Sequence, residues 1–98
     1  MKEVGTVVFT PLDAFIVVEH RRGFAVLELI EDGTGIGLGD KLWARDWTGP
    51  PFASHPTYRM IEKDNVLHSV STWWNTTSFD EAVSQAEGLA RSATGEPG

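Results

Sequence analysis

The chain has 98 residues, 41% of them hydrophobic, and sets 14 acidic against 8 basic side chains for a formal charge of −6. That length suits one domain with one core, and the apolar content is enough to offset the ordering entropy without covalent staples. The absence of cysteine excludes disulfides, thiolate nucleophiles, iron–sulfur clusters and cysteine zinc sites, while the acidic balance opposes a phosphate backbone, so nucleic acid is not an expected partner.

Val4 to Phe9 alternates Val4, Thr6, Val8 against Gly5, Val7, Phe9, a short strand that Thr10-Pro11-Leu12-Asp13 is expected to break. Ala14 to His20 is β-branched and apolar as far as Glu19, and Arg21-Arg22-Gly23 then offers a turn with glycine available for positive φ. Phe24 to Ile30 follows at once, with Phe24, Val26, Glu28 and Ile30 on one face and Ala25, Leu27 and Leu29 on the other. Both faces are largely apolar, as a closed or sandwiched sheet requires; a single sheet open to water would be more polar.

Glu31 to Asp40 places glycine at 33, 35, 37 and 39 around Ile36 and Leu38. A dinucleotide fingerprint needs a helix after its glycines, and a P-loop needs Gly-Lys-Ser/Thr. Here the glycines lead into Lys41-Leu42-Trp43-Ala44-Arg45, which reads as a strand, and Asp40 stands where a bound anion would be repelled. Asp46 to Pro56 is a long connection without a regular pattern, and connections of this kind are commonly functional. Its Trp47 and Phe52, flanked by Pro50 and Pro51, form a candidate apolar contact site; the competing expectation is that both fold down to cap a mouth of the barrel. Thr57 to Glu62 and Val66 to Trp73 make a second hairpin around Lys63-Asp64-Asn65, residues that tolerate left-handed geometry. Trp73-Trp74 is expected to put its indoles on opposite sides of the strand end, one in the core and one under the last element. That element is a helix from Phe79 to Arg91, opened by the capping box Ser78-Phe79-Asp80-Glu81 and patterned by Phe79, Ala82, Val83, Ala86, Leu89 and Ala90. The domain therefore spans residues 1–91, with 92–98 expected as a flexible tail.

Catalytic signatures are missing from the sequence. His20, His55 and His68 are too far apart for a local metal motif, no Gly-x-Ser-x-Gly elbow occurs, and the acidic residues around the glycine stretch lack the spacing of a calcium loop. No metal and no cofactor is expected. The start Met1-Lys2-Glu3-Val4-Gly5-Thr6 lacks a leader pattern and no apolar run approaches the roughly 18 residues of a membrane helix, so a soluble, cytoplasmic protein is expected.

Phe15-Ile16-Val17, Arg22-Gly23, Ala25-Val26-Leu27-Glu28, Gly33 and Leu38-Gly39-Asp40-Lys41-Leu42, under a third of the chain, resemble the core hairpin of the second-domain β-barrel of translation GTPases of the elongation factor Tu kind. The resemblance implies a six-stranded Greek-key barrel that contacts a partner, without GTP hydrolysis. The residues and the resemblance together predict a mainly β fold, a small six-stranded barrel of Greek-key or SH3-like form with one C-terminal helix packed on it. The expected function is a non-catalytic module that meets a protein partner through Trp43, Trp47, Phe52, His55 and Trp74. Two alternatives stand beside it: an acidic inhibitor or immunity-type protein that blocks a basic site, and a small enzyme using His55 or His68 with a carboxylate.

Overall fold

A computed structural model describes residues 2–12, 14–30, 35–47 and 57–94, which form β1 (Glu3–Leu12), β2 (Phe15–His20), β3 (Gly23–Leu29), β4 (Lys41–Ala44), β5 (Thr57–Lys63), β6 (Val66–Thr76) and α1 (Phe79–Thr94). The strands close into an antiparallel barrel in the order β1-β2-β3-β6-β5-β4. Because β4 returns to lie beside β1, the first four strands sit in the spatial order 4-1-2-3, a Greek key. The fold is thus the mainly β, six-stranded barrel with a C-terminal helix that the sequence predicts, in its Greek-key form.

The β2–β3 hairpin runs in unbroken register from Phe15↔Glu28 to His20↔Gly23, with Arg21-Arg22 as its two-residue loop. Gly23 is the first residue of β3 rather than part of that loop. Its φ of 141° and the Thr76 carbonyl, 2.5 Å from where a Cβ would stand, both require glycine. In the β5–β6 hairpin, Asp64 and Asn65 take φ of 51° and 67°, the paired positive values of a tight turn whose twist matches its strands.

β1 runs past the expected break. Register shifts against β2 between Val7 and Phe9, and again between Phe9 and Leu12, carry the strand through Pro11, which has no N–H to give a regular ladder.

Two apolar clusters explain the two-sided burial of the central hairpin. Ile16, Val18, Ala25, Leu27 and Leu29 point into the barrel with Val7, Leu42, Ala44, Trp47, Ile61 and Val70. Val17 and Val26 point outward, against Ala82 and Ala86 of α1, with Val8, Phe9, Phe24, Trp74 and Leu89 packed around them. Barrel closure therefore accounts for one face and the helix for the other. Ala82, Ala86 and Ala90 recur every fourth position and are buried, so the face that meets the sheet is made of small side chains that let the two backbones approach.

The helix start departs from the expected capping box. The Glu81 N–H donates to Ser78 Oγ at 3.2 Å, but the Ser78 N–H donates to Thr76 Oγ1 at 3.1 Å, so the Glu81 carboxylate is left to accept from Trp74 Nε1 at 2.7 Å. One half of the box forms. The other half becomes a link between helix and barrel. The helix also continues to Thr94, beyond the predicted end at Arg91.

Candidate interaction surface

α1 packs on β1, β2, β3 and β6 and touches neither β4 nor β5, so among the described residues one part of the outer barrel wall carries no helix. The four residues of β4 alternate, with Leu42 and Ala44 in the core and Lys41 and Trp43 outside. Cross-strand register then builds a row on the wall that α1 does not reach, Val4↔Trp43↔Glu62↔Leu67, and Met60, two residues from Glu62 on the same face, lies opposite Ser69. The Ile30 N–H donates to the Ser69 carbonyl at 3.3 Å, which brings Ile30 beside this second row. Val4 and Trp43 are each 41% exposed, Ile30 46%, Met60 49% and Leu67 58%. Glu62 inside the patch is neutralised by an ion pair with Lys2.

Of the predicted contact residues that are described, Trp43 alone stands on this wall. Trp47 is buried in the barrel, its Nε1 donating to the Glu3 carbonyl at 2.9 Å and its ring stacked on His20 with centroids 6.2 Å apart. Of its two expectations, the structure shows the inward one. Trp74 is half-buried beneath α1, bonded to Glu81 as described, and serves helix docking. Phe52 and His55 lie outside the described residues.

Trp73 corrects a second expectation. Val26 pairs with Trp74 and Leu27 with Thr72, so Trp73 is the extra residue of a β-bulge. Its Nε1 donates to Glu28 Oε1 at 3.0 Å, and Glu28 shares the outward face of β3 with Val26. Both indoles thus lie on the outside of the barrel, and neither belongs to its interior cluster. The bulge cancels the alternation that neighbouring strand residues normally obey.

The sequence reading misses Val4, Met60, Leu67 and Ile30. The turn at Asp64-Asn65 carries a usable signal for two of them, because a two-residue loop there fixes Glu62 opposite Leu67 and Met60 on the same face.

The glycine stretch cradles an anion that the chain itself supplies. Asp40 Oδ2 accepts from the Gly37 N–H at 2.7 Å and from Lys63 Nζ at 3.0 Å, and Lys63 also donates to the Gly35 carbonyl at 2.7 Å. The Gly37 hydrogen bond first, and then the Lys63 ammonium, hold the Asp40 carboxyl below its ordinary value. A group shifted this way stabilises the fold above the ordinary carboxyl range and loses that contribution as pH falls through the lower, folded value. Asp40→Asn is expected to cost about 1 kcal/mol at neutral pH, discounted because the side chain is partly exposed. Urea denaturation of both proteins should show the difference shrinking in acid.

His68 faces inward opposite Ile61, is half-buried, and pairs with no carboxylate among the described residues. Among those residues no group of three or more His, Cys, Asp or Glu side chains is placed to hold a metal ion. No helix among them is long and apolar enough to cross a membrane. Comparison with protein-family models, curated proteins and solved structures finds no match.

Proposed function

We propose that this chain is a non-catalytic binding module that acts in the cytoplasm and meets a protein partner through the outer wall centred on Trp43. The observation that carries the reading is the row Val4, Trp43 and Leu67 on the part of the barrel that α1 leaves bare, extended by Met60 and Ile30. Large apolar side chains grouped around a half-exposed indole are the composition of an interface centre, where aromatic anchors supply most of the binding energy. The resemblance of the β2–β3 hairpin to the second-domain barrel of translation GTPases enters as a further reason to read the wall as a contact surface.

An acidic inhibitor is the weaker reading, because many carboxylates are already engaged within the chain. Glu3 pairs with Arg21 and Arg22, Asp40 with Lys63, and Glu62 with Lys2, while Glu28 and Glu81 accept from tryptophans.

Trp43→Ala tests the reading. Its cost to stability should stay within about 0.5 kcal/mol by thermal denaturation, since the residue lies outside the core. Recovery of partners from native extract should fall by roughly thirtyfold, corresponding to about 2 kcal/mol for an anchor residue. Binding should also survive raised salt, whereas a carboxylate-driven contact would weaken steeply. Equal recovery by the variant and the wild type would remove the proposal.

A further inference from the structure

A buried imidazole sits at one end of the barrel. His20 ends β2 with its ring inside, 8% exposed, and lies flat against Trp47 with an interplanar angle of 10°. Its Nδ1 accepts the Arg22 N–H at 3.3 Å. The proton of the neutral ring therefore sits on Nε2, which is buried without a hydrogen-bond partner among the described residues. A second proton has only Nδ1 to occupy, and there it would point at an N–H that now donates to that atom.

The charges around the ring do not relieve this. Glu3 from β1 and Asp46 beyond β4 favour the cation, and Arg22 from the β2–β3 loop opposes it. The Glu3 carboxylate is shared with Arg22 at 3.3 Å and Arg21 at 3.8 Å, so much of its field is already spent. The indole gives an imidazolium little compensation at a centroid distance of 6.2 Å, the outer limit of cation–π attraction. Trp47 lies beyond the end of β4, fixed by this stack, by its hydrogen bond to the Glu3 carbonyl and by packing in the core.

We propose that His20 and Trp47 form an acid-sensitive latch, in which protonation of the imidazole favours a locally opened barrel end that exposes the Trp47 indole. Burial above all, and Arg22 in addition, hold His20 below the ordinary histidine value, which fixes the sign. Above the ordinary value the ring is neutral whether the latch is closed or open, and pH has no effect. As pH falls from there towards the lower, closed-state value, the open form takes up the proton more readily and gains population. This inference is independent of the Trp43 surface.

The test is protection of the Trp47 indole N–H from hydrogen exchange, read by nuclear magnetic resonance, assigned with Trp47→Phe and corrected for intrinsic exchange. Between about pH 7.5 and about pH 5, a range spanning ordinary histidine titration, protection should fall by up to about thirtyfold, the limit set by an open-state histidine of ordinary value, while the Leu27 amide in β3 keeps its own. His20→Asn retains an oxygen acceptor near the Nδ1 position but cannot gain a proton, and should show no such loss. Glu3→Gln removes a carboxylate that favours the cation and should deepen the acid loss. Arg22→Gln removes an opposing cation and should lessen it, and this pair of opposite signs decides the matter even if His20→Asn does not fold. Retained protection in acid, an equal loss in His20→Asn, a simultaneous loss at Leu27, or failure of the paired variants to move in opposite directions overturns the latch.

Discussion

Trp47→Ala is expected to destabilise the protein by about 3–5 kcal/mol, the range for deleting a buried aromatic from a core. The indole is 1% exposed, sits in the interior cluster, stacks on His20 and donates to the Glu3 carbonyl. Its removal opens a cavity and leaves that carbonyl without its indole donor. The lining is also poorly able to collapse: Gly5, whose Cβ position lies against Val18 and the Trp47 ring, has no side chain to swing into the space. For a domain of this size the melting midpoint should fall by at least roughly 12 °C. Trp47→Phe keeps a ring against His20 and loses the N–H, so it should cost about 1–2 kcal/mol. Trp43→Ala is the internal comparison. If the Trp47 and Trp43 variants melt together, the inward placement of Trp47 is wrong.

The second large effect belongs to Gly23→Ala, expected at about 2–4 kcal/mol. Two costs combine there. An alanine at a φ of 141° occupies backbone space that L side chains rarely adopt, and its Cβ would stand 2.5 Å from the Thr76 carbonyl and 3.2 Å from Thr77 Cα. The obstructing atoms are backbone, so relief requires β3 and β6 to part where they join the start of the helix. Gly37→Ala makes the contrast, since no atom outside its chain neighbours lies within 4 Å of its Cβ position and its φ is ordinary; it should be neutral or slightly stabilising. Chemical denaturation of both variants separates local strain from a general intolerance of added side chains.

Much of the barrel is legible because its signals are local. The alternation on either side of Arg21-Arg22 sets the β2–β3 register, Asp64-Asn65 sets that of β5 and β6, and Ser78 marks the helix start. What escapes depends on partners distant in the chain. Trp47 turns inward because the Glu3 carbonyl and the His20 ring wait there, and no window around residue 47 contains either. The bulge at Trp73 arises from pairing with Val26 and Leu27, so the doublet read alone suggests the wrong sides. Pro11 looks like a terminator until register shifts against β2 absorb it. Of the candidate site, Trp43 is legible from alternation within β4, while Val4 beside it follows only from the pairing of β1 with β4.

That pairing also governs how the molecule comes together. β1 has one neighbour next to it in the chain and another that comes only after β3, and β3 in turn finds β6 only after the whole of β4 and β5. Each hairpin can form early, but the seams that join them bridge long stretches of chain and bear the loop-closure entropy before any core contact rewards it. The ring is therefore expected to fold at the slow end for its size, in milliseconds to seconds, with its sealing step as the bottleneck.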